Sequence, residues 1–230
     1  MIDLEQRKKD LQELVNKSWE EKVGLTISKL MEFYVRTDGN CYLSCSGGAD
    51  SVVLLDICRK VEQLNKGWKF KVVFDDTGLE EPTVREKVLS IEDVCVVRPE
   101  ISFLQVLTQY GYPIISKEVS ECVVQARRCL EQPNRERYIY RLEKLLGTAK
   151  QKDGSKSLYN KDKYKCLLNA PFRISNECCN IMKKRPLKHL QEFPIVATMT
   201  EESANRTTAW LKTGCNSFDK KIMSRPMSFW

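Results

Sequence analysis

The sequence predicts an α/β fold: an open, mostly parallel sheet with helices on both faces, carrying an N-terminal helical extension. Three observations carry this expectation. From residue 41 onward, strand-like and helix-like segments alternate, which argues for βαβ units. The runs "VVF" and "VCVV" are continuously apolar, as in strands covered on both faces. A glycine pair, Gly47-Gly48, stands between the first strand and the first helix of the series, where a helix N-terminus opens.

The elements follow in order. Leu4, Leu11, Leu14, Val15, Trp19, Val23, Ile27, Leu30 and Phe33 recur near a 3.6-residue period, so residues 3–35 read as a long amphipathic helix or helix pair. It packs on the body or on a second subunit, which makes a homodimer one expectation. "CYLSC" is a strand and "SVVLLDICRKVEQL" a helix. "KFKVVFDD", "PTVREKVLSI", "DVCVVRP" and "SFLQVLTQYG" then read strand, helix, strand, helix. Residues 117–146 look helical and basic, and the aperiodic, Lys-rich 147–163 reads as a mobile loop. "EFPIVATMT" returns to strand character, and "EESANRTTAWLKTG" is a helix closed by Gly214. The last segment is mostly loop and ends on exposed-looking Phe229 and Trp230. The expected organisation is a helical extension over 1–36, an α/β domain over 37–215 with a basic insertion near 117–165, and a tail over 216–230, a stump if the natural chain is longer.

A chain of 230 residues, 42% hydrophobic and 30% charged, reads as globular. No apolar run approaches the about 20 residues of a membrane span, so no membrane partner is expected. The N-terminus is charged rather than signal-like, which gives a cytoplasmic expectation. Ten cysteines in that reducing setting are core residues, metal ligands or nucleophiles rather than a disulfide framework. A single histidine, His189, argues against a Ser-His-Asp triad and His-rich zinc sites. Residues 125–165 hold twelve Lys/Arg against five Asp/Glu, a net of +7 that equals the net charge of the whole chain. Such a segment is either a polyanion contact, with a nucleic-acid acceptor as the natural partner, or a solvated helical arm.

The loop "SCSGGADS" carries the chemistry. At a helix start the first N–H groups lack helical partners and the dipole favours negative charge. Gly47 and Gly48 remove Cβ atoms so that an anion can reach the backbone. Ser44, Ser46 and Ser51 add hydroxyls, and Asp50 takes a capping or metal role. The Walker A spacing and its Lys are absent. An ordinary glycine turn is the bland alternative.

The full S-G-G-x-D-S string after a strand resembles the pyrophosphate-binding loop of the PP-loop ATP pyrophosphatases, among them the phosphoadenylyl-sulfate (PAPS) reductase family. Many members carry Lys where Ala49 stands here. "DTGLEEP" matches the family's D-T-G-x-x-x-P at Asp76, Thr77, Gly78 and Pro82. "CCNIMKKRPL" (178–187) is similar to the C-C-x-x-x-K-x-x-P-L of adenylyl-sulfate reductases, and "TMTEESANR" (198–206) to their E-x-S-x-x-R, giving Glu201, Ser203 and Arg206.

The resemblance implies an adenine nucleotide, either ATP with Mg²⁺ or adenylyl sulfate/PAPS. The loop would hold its phosphates, and Asp76, Thr77 and Gly78 would shape the adenine-side wall. Lys183, Lys184 and Arg206 would face the reacting group and supply the cation missing at Ala49. It also implies a [4Fe–4S] cluster on Cys178, Cys179 and Cys215. The family's later C-x-x-C is broken, since Phe218 stands where a second Cys belongs, and Cys166 is a candidate fourth ligand. Zinc and free thiols are the alternatives. Cys41, Cys45, Cys58 and Cys95 read as buried core thiols, and Cys122 and Cys129 as packing on one helix face.

Three functions follow as expectations. One is adenylation or sulfur transfer with ATP, drawing on a sulfur donor protein. Another is reduction of adenylyl sulfate or PAPS to sulfite with thioredoxin, which lacks the family's tail cysteine here because no Cys follows Cys215. The last is a non-catalytic nucleotide or nucleic-acid binding module.

Overall fold

The computed structural model describes residues 4–132, 136–190, 193–197, 210–219 and 222–230. The chain divides into two compact units, Met1–Arg98 with Leu187–Trp230, and Pro99–Pro186.

The first unit is α/β. Its six-stranded sheet has the order β3-β2-β1-β4-β6-β5. β1 (Tyr42–Ser44), β2 (Lys71–Asp75), β3 (Val94–Val97), β4 (Ile195–Val196) and β6 (Met223–Ser224) run parallel. β5 (Asn216–Ser217) joins the edge antiparallel to β6. The β5–β6 ribbon corrects the expectation of loop there; two-residue strands are too short to show a period-2 pattern. In register, Leu43 faces Val72 and Val196, and these three sit on one side of the sheet. They form a fully buried core with Leu30 and Phe33 of α2 (Trp19–Arg36) and Leu54, Ile57, Cys58 and Val61 of α3 (Ala49–Leu64). Tyr42, Val73 and Val97 build a smaller cluster with Leu187, Leu190 and Ile195.

The N-terminal extension is a helix pair, α1 (Leu4–Val15) and α2. Ser18 separates them because its hydroxyl accepts from the Glu21 amide while the Glu21 carboxylate accepts from the Ser18 amide, a reciprocal capping box. The chain's last residues dock on these helices instead of standing exposed. Phe229 is buried with Leu11, Trp210 and Cys215. Trp230 Nε1 donates to Thr26 Oγ1 at 2.9 Å, and its ring meets Trp19 edge-on at 4.8 Å.

α4 (Pro82–Leu89) joins β2 to β3. Its N-cap Glu81 accepts from the Val84 amide, and Pro82 stands at the first helical position, where a missing N–H costs nothing.

The second unit is built on α5 (Phe103–Tyr110), α6 (Lys117–Glu131) and α7 (Glu136–Leu146). Cys122 and Cys129 are buried along α6, as the spacing predicts. Arg127 ties the following chain down by donating to the carbonyls of Leu167, Leu168, Ala170 and Phe172 at 2.8–3.1 Å. Residues 147–163 are not the loose loop the composition predicts. Ser157 N donates to Ala149 O, Gln151 N to Ser155 O, and the Asn160 amide to Gly147 O and Ala149 O. Gly147 and Gly154 turn left-handed to allow it, a backbone economy that low hydrophobicity does not reveal. Among the described residues, no helix is long and apolar enough to cross a membrane.

Candidate nucleotide site

β1 ends at Ser44, and the Cys45 amide still donates to Val73 O at 2.9 Å. The chain then turns through Ser46 and Gly47. Gly47 has φ +78°, and a Cβ there would lie 2.5 Å from Val88 Cγ2 and 2.7 Å from Val84 Cγ1. Glycine is required twice, by the left-handed backbone and by the close approach of α4. Gly48 is the N-cap of α3, in extended conformation and with no side-chain cap. The first-turn amides therefore face an anion uncontested, with the helix dipole behind them. β1 lies between β2 and β4, so this loop opens at the point where strand order reverses, the crevice in which α/β sheets take ligands.

The two downstream hydroxyls differ in role. Ser51 is buried, donates to Gly48 O at 2.9 Å and stands 3.4 Å from Ser46 Oγ, so it fixes the loop from beneath. Ser46 is exposed; its oxygen accepts from the Gly48 amide at 3.4 Å. Asp50 is exposed in the first turn of α3. Gly48 holds the cap position, so capping by Asp50 is ruled out, and its carboxylate is a hard oxygen ligand suited to a nucleotide-borne Mg²⁺.

Asp76 follows β2. It is 3% exposed, and its carboxylate is gripped by two guanidiniums. Arg85 of α4 donates from Nε at 2.8 Å and Nη2 at 2.7 Å, and Arg98 donates from Nε at 3.0 Å. The Arg85 hydrogen bonds, with help from Arg98, outweigh burial and hold the Asp76 carboxyl down at a pKa of about 2. Two cations thus converge on one buried anion at the strand ends, and Glu80 and Glu86 also act on Arg85. Arg98 spends only Nε, and its side chain is 61% exposed. Thr77 is buried, donating to Glu80 at 2.7 Å and accepting from the Leu79 amide. Gly78 turns left-handed with open space around its α-carbon.

Residues 40–117 match the phosphoadenosine phosphosulfate reductase domain. The matched segment, about a third of the chain, contains both the S-G-G-x-D-S loop and the D-T-G turn. The 178–187 and 198–206 segments lie outside the match. No curated protein matches the chain.

Arg85 and Arg98 were not legible as site residues from motifs. A signal did exist. β2 and β3 pair in parallel with Asp75 opposite Val97, so the residues that follow, Asp76 and Arg98, must emerge side by side.

Other expected residues fall elsewhere. Glu201, Ser203 and Arg206 lie outside the described residues. Lys183 and Lys184 belong to the second unit, exposed on a π-helical turn (Asn180–Lys184). In the same unit Cys178 and Cys179 line a cleft of about 190 Å³ with Pro113, Ile115 and Lys117. Burial, and then the adjacent Cys179, push the Cys178 thiol up. Ile115 is left-handed, with φ +59°. Cys215 is buried in the first unit in an apolar cluster, accepts from Ser228 Oγ at 3.6 Å, and has its pKa raised by burial.

Among the described residues, no three His, Cys, Asp or Glu side chains gather as metal ligands. Cys178 and Cys179 belong to the second unit and Cys215 to the first, and burial pushes the Cys178 and Cys215 thiols up, away from the thiolate form that metal ligation needs. Cys166 is exposed and adds no ligand set. Cys41, Cys45 and Cys58 are buried as expected, whereas Cys95 is exposed. The apolar run "VCVV" predicts cover on both faces, but β3 is the edge strand of the sheet.

Proposed function

We propose that the first unit binds an adenine nucleotide across the carboxyl ends of β1, β2 and β3, and that the chain uses ATP to adenylate an acceptor. The observation that carries this is the uncapped start of α3 behind Gly47 and Gly48 at the sheet's switch point. In the reaction, an acceptor oxygen or sulfur forms a bond to the α-phosphorus. The bond from that phosphorus to the bridging oxygen breaks, and its electron pair leaves on pyrophosphate. The first-turn amides of α3 and the Ser46 hydroxyl stabilise that leaving charge. Arg98 and Arg85 supply the cation that Ala49 does not, held by Asp76 before the nucleotide arrives. Ser51 and Thr77 are positioning residues, because their hydroxyls are engaged within their own turns. Asp50 would hold Mg²⁺, which would supply charge neutralisation to the nucleotide's phosphates.

ATP–pyrophosphate exchange measured with candidate acceptors tests the reading. Radiolabel from pyrophosphate should enter ATP, and Arg98→Ala should suppress it while leaving the fold intact. Nucleotide binding with no exchange under any acceptor defeats the adenylation step.

The family match favours a second reading, reduction of adenylyl sulfate or PAPS. The buried thiols weigh against it in the first unit, because the thiolate is the nucleophile and burial raises Cys41 to about 11 and lifts Cys58 and Cys215 as well. Sulfite release with thioredoxin as reductant would establish reduction instead.

A further inference from the structure

The second unit carries a surface that the nucleotide site does not use. Lys144 of α7 is buried, with its ammonium 5.8 Å from the Tyr140 ring centre and 5.7 Å from that of Tyr159. Its Nζ lies 3.3 Å from one oxygen of Glu118, whose other oxygen is 3.2 Å from Lys161, so a single carboxylate serves two cations. The rings flanking Lys144 are open to solvent: Tyr140 is 46% and Tyr159 68% exposed, and Leu158 beside them is 87% exposed.

These side chains do not ride on a slack loop. Residues 147–160 are closed by Ser157 N to Ala149 O and by the two Asn160 bonds, so Tyr159 is held outward on a tied turn. In the same segment, Lys150, Lys152 and Lys165 are exposed with no carboxylate partner among the described residues, and Lys163 lies 4.9 Å from the Tyr164 ring centre. Fixed, exposed aromatics backed by a cation, on a segment rich in exposed lysines, match the two needs of a flexible polyanion with flat bases. The rings stack bases and the lysines track phosphates.

We infer that this face, α7 with the 147–165 turn, binds single-stranded nucleic acid. A duplex hides its base faces and cannot use the tyrosines. An acidic peptide would use the lysines but has no systematic need for two open rings.

Fluorescence anisotropy of the full chain with labelled 20-nucleotide single-stranded RNA, the DNA of the same sequence and the matched duplex tests the proposal. The RNA and DNA arms decide which sugar is preferred. With four lysines on phosphates, log K should fall against log salt with a slope of about −3. Tyr159→Ala should weaken single-strand binding on the order of tenfold with the slope unchanged. The Lys150→Gln, Lys152→Gln, Lys163→Gln, Lys165→Gln variant should flatten the slope. All five positions carry exposed side chains, and unchanged circular dichroism spectra and melting verify folding. Gly47→Ala should leave this binding intact, which separates the proposal from the nucleotide site. Duplex bound as tightly as single strands, polyglutamate competing as well as RNA, or no effect of Tyr159→Ala would each overturn it.

Discussion

Replacing Asp76 by Asn tests the strand-end ion triad. The carboxyl has an ordinary pKa of 3.8 and is held at about 2 in the fold, chiefly by the Arg85 hydrogen bonds. A group depressed on folding contributes stability that is fully present above its unfolded pKa and is lost as pH falls through its folded pKa. The depression of just under two units corresponds to about 2 kcal/mol at neutral pH. Both arginines keep solvent contact, so the unpaired guanidiniums left by Asn should cost less than the about 3–5 kcal/mol of a fully buried broken pair. Urea unfolding at pH 7 should show Asp76→Asn weaker by about 2 kcal/mol. Near pH 2.5 the difference should shrink below about 1 kcal/mol, because the wild-type carboxylate is then titrating. A difference that stays constant from pH 7 to 2.5 would show that the loss is packing and not charge, and would refute the reasoning.

Gly47→Ala should cost about 1–2 kcal/mol from its left-handed backbone alone, with the contacts to Val84 and Val88 added, and should abolish nucleotide binding measured by calorimetry. Adding Val88→Ala should return part of the stability but not all, since it relieves the clash and leaves the backbone strain. Arg127→Ala, which strips the donor from four carbonyls, should destabilise the second unit by about 2–4 kcal/mol, with hydrogen exchange accelerated first around residues 167–173. Trp230→Ala removes the bond to Thr26 and the edge contact with Trp19; thermal unfolding should show a loss of about 2–3 kcal/mol, and a loss under about 0.5 kcal/mol would mean the tail is not a working part of the core.

Where composition and period agree, the sequence was legible. The alternation of apolar runs with amphipathic helices placed β1 to β3 and α3 to α5, and the glycine pair marked the anion loop. What escaped was set by partners distant in sequence. The Arg98 side chain gains its meaning from Asp76 on a neighbouring strand, twenty-two residues earlier. Lys-rich 147–163 is held by backbone bonds that carry no compositional mark, and Phe229 is covered by Leu11 from the far end of the chain. Asp50 read as a possible cap, and only the helix's first residue excluded that role, because a cap must sit outside the helical turn. For the cysteines, a spacing shared with a family says which thiols exist but not which ones converge.

Ile115 takes a left-handed backbone in the second unit. A β-branched residue at φ +59° holds on the order of 1–3 kcal/mol of backbone strain, and this one forms the lip of the cleft in which Cys178 and Cys179 sit. The lip is thus a loaded spring beside two thiols. The cysteine pair, itself half-buried, thus shares a wall with the one β-branched residue that takes a left-handed backbone among the described residues.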